Sequence, residues 1–314
     1  MLERIDWSIG RGLSVADQEI EAFRAAVLEK SFTSVVRLPS RTQQVFRADV
    51  GGVLSILRVV THVRAPASER RANAFHRLAR ALSPERMSSP AAVARFTSTH
   101  HGLPANTDIV VTEHAPSSYR DGDQVTRAVL RAVDGEHRHL GAFLSYTAHL
   151  ADHGLRRNLL FSTDQGEFPF WFIDLDFAFG ATMTWGHARP LFYPPRGLNY
   201  QARGYAAPPP ARAAELLGLI GSLPNQEVAQ IFGLSRAEAS DLQARSSKVK
   251  QLGLAAAIER ERFWSPRDGF LTRCKEMVYA KLAKPLIALV VFLERQLGLS
   301  EVAEYSEALE PLFL

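Results

Sequence analysis

Residues 152–180 read DHGLRRNLLFSTDQGEFPFWFIDLDFAFG, a polar loop followed by two apolar runs and two closely spaced acids. The apolar runs 159–161 and 168–173 are separated by a polar turn, and this pattern predicts a β-hairpin. A hairpin returns the chain towards its starting point. We therefore expect Asn158, just before the first strand, to lie near Asp174, just after the second.

The polar residues around this hairpin suit a site for metal and phosphate. Asn and Asp oxygens are hard ligands suited to Mg²⁺, and the side chains of Arg156 and Arg157 suit phosphate oxygens. Metal and phosphate together are what phosphoryl transfer from ATP requires. A hairpin with polar turns and one buried acid is the plainer interpretation. The ordered series from Asp152 through Asn158 to Asp174 favours a phosphotransferase.

Length and composition indicate an ordinary globular chain. Its 314 residues, 46% hydrophobic and 22% charged, suffice for a large core and two lobes. A net charge of +4 is compatible with anionic nucleotides but does not indicate an extended nucleic-acid surface. The single cysteine, Cys274, excludes an internal disulfide and favours a cytoplasmic location. Residues 1–6 show no secretory signal, and the apolar run 286–293 is too short to span a bilayer.

The first part of the chain predicts a helix followed by a small sheet. One apolar face indicates a helix over 16–30, with Ser14 as its cap. A period-two pattern then predicts strands over 34–38, 44–50 and 53–60. Gly51-Gly52 between the last two strands predicts a tight turn. A second helix and another strand are predicted at 68–82 and 109–113.

The rest of the chain is mainly helical around the hairpin. Helices are predicted over 136–150, 213–221, 225–232, 236–249, 255–264, 271–297 and 301–309. Short strands with one inserted helix, followed by a helical half, form an α+β, two-lobed pattern. We divide the chain into a helical extension (1–33), a small, mostly antiparallel β N-lobe with one helix (34–115) and a larger helical C-lobe (116–314) that contains the hairpin.

This pattern resembles the protein-kinase-like fold, and within it the bacterial HipA-like and phosphatidylinositol 3/4-kinase-like phosphotransferases. The residues that carry the resemblance are Asp152-His153, Asn158-Leu159-Leu160 and Ile173-Asp174-Leu175-Asp176-Phe177-Ala178-Phe179-Gly180. Lipopolysaccharide-kinase-like sequences also contain Ile-Asp-Leu-Asp, so the branch stays open. A weaker likeness places 45–50 and 56–58 at the nucleotide-covering strands and 111–113 at the hinge.

The resemblance implies transfer of a phosphoryl group from ATP, with Mg²⁺, to a hydroxyl of an acceptor that the sequence does not identify. It implies that Asp152 accepts the proton of that hydroxyl or orients it. Arg156 or its neighbour would stabilise the transferred group. Asn158 and Asp174 would hold Mg²⁺, with assistance from Asp176.

Three further residues would bind the nucleotide, and two positions depart from the family pattern. The resemblance places Arg58 at the α/β-phosphates in an ion pair with Glu69, and Glu113 at the hinge. An arginine thus stands where the family has a lysine. Asp152 and Asn158 are six residues apart where the family has five. Both departures are compatible with an atypical kinase and with an inactive pseudokinase that acts as a binding or regulatory module.

Two other classes of protein share fragments of the pattern. His149 and His153 have the i, i+4 spacing of zinc sites, but the usual glutamate is absent and no third ligand is evident nearby beyond Asp152 or Asp174. Histidines satisfied by hydrogen bonds at a helix end are the favoured interpretation. Residues 226–239 resemble a DNA-reading helix-turn-helix, yet Glu238 and Asp241 would face DNA phosphates poorly. We therefore expect a structural helix pair and no nucleic-acid partner.

Overall fold

The structure, a computed structural model, describes residues 8–29, 32–39, 44–60, 62, 64–96, 102–121, 133, 135–150, 159–162, 164, 168–179, 211–254 and 256–257. Within these ranges the chain is α+β, with two antiparallel sheets and six α-helices. The larger sheet and two helices come first in the chain, and the second sheet and the remaining helices follow. This arrangement is compatible with a two-lobed fold. The boundaries at 33 and 115 stay predictions.

Helix α1 (Ile9–Leu28) begins earlier than the sequence predicts. Ser8 is its cap, and the Ser8 hydroxyl accepts a hydrogen bond from the backbone N–H of Arg11 at 3.2 Å. Ser14 lies inside the helix, so the predicted start and cap are wrong. Glycines have low helix propensity, and Gly10 and Gly12 weakened the signal at this end. The predicted buried face is confirmed at Ile20, Phe23 and Val27.

The main sheet has five antiparallel strands in the order β1-β2-β3-β5-β4. They are β1 (Phe32–Leu38), β2 (Val45–Val50), β3 (Val53–Val60), β4 (Ala91–Phe96) and β5 (Thr107–Glu113). The predicted strands are confirmed, and β4 is an addition. The predicted turn between β2 and β3 is confirmed too. Gly51 and Gly52 have φ values of 60° and 86°, as a two-residue hairpin of this kind requires.

Helix α2 (Ala65–Leu82) joins β3 to β4 and confirms the predicted second helix. It lies between the main sheet and the helical part of the chain. Asn73 fixes its position by exchanging two hydrogen bonds with the backbone of Ala91, at 3.0 and 2.7 Å. On its other side the Phe75 ring packs 4.9 Å from the ring of Phe172.

The second sheet contains the predicted hairpin. Its strands are β6 (Tyr119–Asp121), β7 (Leu159–Ser162) and β8 (Phe170–Phe172), in that order. The hairpin is confirmed, because β7 pairs antiparallel with β8 and Leu159 lies opposite Phe172. The backbone N–H of Phe172 donates to the carbonyl of Met87 at 2.7 Å. The hairpin is thereby tied to the segment between α2 and β4.

Four further helices follow α2. They are α3 (Gly135–Thr147), α4 (Ala211–Ser222), α5 (Asn225–Phe232) and α6 (Arg236–Leu252). The predicted helices at these places are confirmed, although α3 ends earlier than predicted. The predicted helices over 271–297 and 301–309, and most of the one over 255–264, lie outside the described residues. In the part of the chain that the structure describes, no helix is long and apolar enough to cross a membrane.

Two buried clusters cover the two faces of the main sheet. On one face, Phe23 and Val27 of α1 pack over Leu57 and Val111. On the other, Val110 joins a larger cluster formed with α2, the hairpin and the later helices. Arg58 lies on this second face, because it alternates with Leu57 along β3. The polar end of the hairpin therefore meets the main sheet at Arg58.

Candidate functional site

Arg58 binds both of the acids that follow the hairpin. Its Nη1 donates to Asp176 Oδ2 at 2.8 Å and its Nη2 donates to Asp176 Oδ1 at 2.6 Å. This is the parallel, two-bond pairing of guanidinium and carboxylate, which is stronger than a single hydrogen bond. Nη1 also donates to Asp174 Oδ1. Three predicted site residues, distant in sequence, thus form one cluster, which we call the Arg58 cluster.

The backbone after β8 turns both acids towards Arg58. Asp174 is left-handed, with φ 55° and ψ 57°, a region that Asp enters more readily than most residues other than glycine. Leu175–Phe177 then forms one turn of 3-10 helix. Leu175, between the two acids, is buried in the core. The turn therefore directs Leu175 into the core and directs the carboxylates of Asp174 and Asp176 towards the main sheet.

Helix α2 holds Asp176 independently of Arg58. The carboxylate is hydrogen-bonded to the Ser68 hydroxyl, and Arg71 Nη1 donates to the Asp176 carbonyl oxygen at 2.8 Å. Arg71 Nε also donates to Glu238 Oε1 at 2.8 Å, and Arg70 Nε donates to Glu238 Oε2 at 2.9 Å. Asp176 is thereby linked through Arg71 to the first turn of α6.

Ser68 and Arg71 are functional neighbours of Asp176 that the sequence did not predict. The available signal was their spacing, because residues three apart on a helix share a face. Nothing in the sequence identified the face of α2 that meets Asp176. That direction depends on how α2 rotates between the sheet and α1.

The two acids differ in exposure and therefore in their chemistry. The side chain of Asp176 is 13% exposed and that of Asp174 is 42% exposed. Burial raises the pKa of Asp176 and the Asp174 carboxylate adds to this, while the charge of Arg58 acts in the opposite direction. Burial alone would lower the pKa of Arg58, but the two carboxylates raise it above its usual value. Asp174 is therefore the solvent-accessible acid, and Asp176 is the largely buried one.

Most residues next to Arg58 on its face of the sheet are apolar, and Arg47 and Thr112, which lie opposite Ile56, are the polar exceptions. Val45 on β2 and Val110 on β5 lie opposite Arg58 in the two neighbouring strands. Ile56 and Leu54 precede Arg58 by two and four residues, so their side chains emerge on the same face. Val110 is buried, Val45 and Ile56 are half-buried and Leu54 is exposed. The guanidinium is thus bordered by a partly apolar surface that opens to solvent.

Glu69 does not pair with Arg58, and this prediction is wrong. Its Oε1 accepts hydrogen bonds from Arg24 of α1, at 3.0 Å from Nη2 and 3.3 Å from Nε. Successive residues on a helix point about 100° apart. With Ser68 directed at Asp176, Glu69 is turned towards α1, an element that the sequence did not place against α2.

Glu113 lies at the end of β5 and binds an arginine outside the Arg58 cluster. Its Oε2 accepts a hydrogen bond from Arg86 Nη2 at 2.6 Å. The Arg86 guanidinium also lies 5.8 Å from the centre of the Trp171 ring. The Glu113 carboxylate is therefore engaged with the segment before β4. Its role in binding a nucleotide stays a prediction.

Three predicted site residues lie outside the described residues. They are the catalytic acid Asp152, the phosphate-binding Arg156 and the metal ligand Asn158, and their roles stay predictions. Leu150 and Leu159, the described residues on either side of 151–158, are both buried.

His149 makes a buried hydrogen bond with a partner that the sequence did not predict. Its Nδ1 lies 2.8 Å from Asp241 Oδ2, and Arg245 Nε donates to the same oxygen at 3.1 Å. Burial alone would raise the pKa of Asp241, but His149 and Arg245 lower it. His149 is thus a helix-end histidine with a hydrogen-bonding partner, as the favoured interpretation expected. Glu238 and Asp241 both bind residues inside the protein rather than facing outwards from α6.

The donor set at Asp174 and Asp176 fits Mg²⁺ in its chemistry, because hard carboxylate oxygens are the ligands that Mg²⁺ prefers. Three of the four carboxylate oxygens, however, bind Arg58. A metal ion would need these oxygens in place of the guanidinium. Among the described residues, no group of three or more His, Cys, Asp and Glu side chains could hold a metal ion. A complete site would therefore need Asn158 or a ligand from solution.

Comparisons with known proteins identify no relative. The chain matches no protein-family model, and no curated protein is significantly similar to it. The Arg58 cluster and its surroundings are therefore the basis for a functional proposal.

Proposed function

We propose that the protein is an ATP-dependent phosphotransferase with a kinase-like fold, which uses Mg²⁺ and transfers a phosphoryl group to a hydroxyl. The observation that carries the proposal is the Arg58 cluster. Arg58, on the third strand of the antiparallel main sheet, binds the carboxylates of Asp174 and Asp176, which follow the β7–β8 hairpin. The sheet, the helix after β3 and the hairpin also occur in the order that the resemblance implies.

The surroundings of Arg58 suit a nucleotide. Val45 and Ile56 offer an apolar surface on which a purine ring would bury its face. Arg58 offers a guanidinium within reach of that surface, and guanidinium groups bind phosphate oxygens in a bidentate manner. A base on the sheet with its phosphates directed to Arg58 would end beside Asp174, the exposed acid.

Asp174 and Asp176, together with the predicted ligand Asn158, would hold Mg²⁺. When bound, the ion would neutralise negative charge on the phosphate oxygens during transfer. We assign proton acceptance from the acceptor hydroxyl to Asp152 and stabilisation of the transferred group to Arg156. These assignments rest on the sequence resemblance, and positioning and electrostatics would supply most of the rate enhancement.

Calorimetric titration of ATP tests the proposal. We expect the wild type to bind ATP in the presence of Mg²⁺, and Asp174→Asn to weaken this binding by about tenfold or more, because it removes one charged ligand. Asparagine also tolerates the left-handed backbone at this position, so the turn is kept. Asp164→Asn is the matched control, because Asp164 lies at the exposed far end of the hairpin. A wild type that binds no ATP would contradict the proposal.

A second function is favoured by the engagement of Arg58 with both acids. A protein that keeps this cluster closed would be a binding or regulatory module without transferase activity. The observation in its favour is that three carboxylate oxygens are already bound to the guanidinium. Turnover is measured as release of ADP in the presence of Mg²⁺. Binding of ATP without release of ADP would favour this function over the first.

A further inference from the structure

The Arg58 guanidinium lies where a cation shared by Asp174 and Asp176 would lie. It binds both oxygens of Asp176 and one oxygen of Asp174. We propose that Arg58 is an internal competitor of the divalent cation, which neutralises the two acids until Mg²⁺ and a nucleotide bind together. This inference rests on the proposed function, because the nucleotide phosphates are the alternative partner of Arg58.

Competition follows from charge and from the oxygens that are shared. A divalent cation and a guanidinium are both positive, and they repel each other strongly when they share ligands at a site shielded from water. The Arg58 side chain is only 12% exposed, so water screens this repulsion little. The metal and the guanidinium therefore exclude one another from the carboxylates.

The acids would keep their positions if Arg58 left. Ser68 and Arg71 hold Asp176 through its carboxylate and its carbonyl oxygen. Asp174 is fixed by the backbone turn that begins at the end of β8. The cluster thus contains a carboxylate pair supported from α2 and from the hairpin, and Arg58 is a third, separate partner.

Among the described residues, the other two acids predicted to bind the nucleotide are engaged elsewhere and not with Arg58. The acid expected to receive it, Glu69, binds Arg24, and Glu113 binds Arg86. Phosphate oxygens would therefore be the replacement for Asp174 and Asp176. This predicts that metal alone binds weakly and that metal and nucleotide each strengthen the binding of the other.

Binding of Mn²⁺ in the absence of nucleotide tests the inference. Free Mn²⁺ is measured by electron paramagnetic resonance during titration of the protein. We expect Arg58→Ala to bind Mn²⁺ about tenfold more tightly than the wild type, or better, because the carboxylates lose their competing cation. Arg47→Ala is the matched control. Arg47 is an exposed residue of β2, so this variant removes the same charge from the sheet while Arg58 stays in place.

A second variant keeps the test decisive if Arg58→Ala fails to fold. Arg58→Lys keeps the charge, but an ammonium group cannot form the forked pair with a carboxylate. We expect its affinity for Mn²⁺ to lie between those of the wild type and Arg58→Ala. Adding Asp174→Asn to either variant should remove the gain, since it removes a metal ligand.

The outcomes separate this inference from the proposed function. If neither folded variant of Arg58 binds Mn²⁺ more tightly than the wild type, the inference is overturned, whether or not the wild type binds ATP. A gain equal to that of Arg47→Ala would also overturn it, because the effect would then be one of net charge. Lack of ATP binding by the wild type would count against the proposed function, while the Mn²⁺ comparison would still decide the competition.

Discussion

Gly12→Ala is expected to lower the free energy of unfolding by about 3 kcal/mol, because it forces α1 away from α2. A Cβ at this position would overlap the carbonyl oxygen of Arg80 and lie 2.8 Å from its carbonyl carbon. It would also lie 2.9 Å from the Cα of Ala81. These are backbone atoms of α2, so no side-chain rotation relieves the overlap. The helices themselves must shift.

The measurement is chemical denaturation of the wild type and two variants. Gly10→Ala is the control, because Gly10 is in the same helix and a Cβ there would meet nothing within 4 Å. Alanine has a higher helix propensity than glycine, so we expect Gly10→Ala to be neutral or stabilising by up to about 1 kcal/mol. Equal effects of the two substitutions would show that the close approach of the helices is not what Gly12 provides.

This contact explains why the sequence predicted α1 only in part. Helix propensity is a local quantity, and two glycines near the start of α1 lower it. The benefit of Gly12 comes from α2, more than fifty residues away, and local patterns do not contain it. Strand β4 was missed for a related reason. Its sequence AAVARF has few β-branched or aromatic residues, and Asn73 of α2 fixes its first residue by hydrogen bonds.

Elements with strong local signals were predicted well. The Gly51-Gly52 turn requires two residues with positive φ, and the sequence contains them between two alternating strands. The hairpin β7–β8 follows from two apolar runs separated by a polar turn. Helices α5 and α6 follow from their periodicity, and the Ser235 capping box marks the start of α6.

For the candidate site, the sequence identified several residues of the site but not all of the residues that they bind. The sequence predicts Arg58, Asp174 and Asp176 as site residues, and the structure brings these three together. The predicted partner of Glu69, Arg58, was wrong because Arg24 also lies within reach of the Glu69 carboxylate. The choice between Arg58 and Arg24 depends on the rotation of α2 and on the position of α1, which are tertiary properties.

Glu238→Gln is expected to lower the free energy of unfolding by about 3 kcal/mol at neutral pH. The side chain is 4% exposed and accepts hydrogen bonds from Arg70 and Arg71. Burial alone would raise the pKa of Glu238, but these two arginines and Ser235 lower it to about 2, against an ordinary value of 4.5. The stability figure is that difference expressed as free energy. Glutamine keeps the shape of the side chain and removes the charge that the arginines stabilise.

The sign of the pH dependence follows from the direction of the shift. Because the pKa of Glu238 is lower in the folded state, the carboxylate stabilises the folded state fully above pH 4.5. This contribution is lost as the pH falls from about 4.5 towards about 2. The difference in unfolding free energy between the wild type and Glu238→Gln should therefore be smaller at pH 3 than at pH 7, by about 2 kcal/mol.

Urea denaturation at the two pH values measures this difference. Glu19 and Asp241 also have a lowered pKa, and both stay in the variant, so their contributions cancel in the comparison. Glu227→Gln is the control, because Glu227 is an exposed acid in the first turn of α5, and its effect should stay within about 0.5 kcal/mol. A difference for Glu238→Gln that is the same at pH 3 and pH 7 would contradict the prediction. The charge of Glu238 would then contribute nothing to the link between α2 and α6, and Arg71 would reach the Asp176 carbonyl without its support.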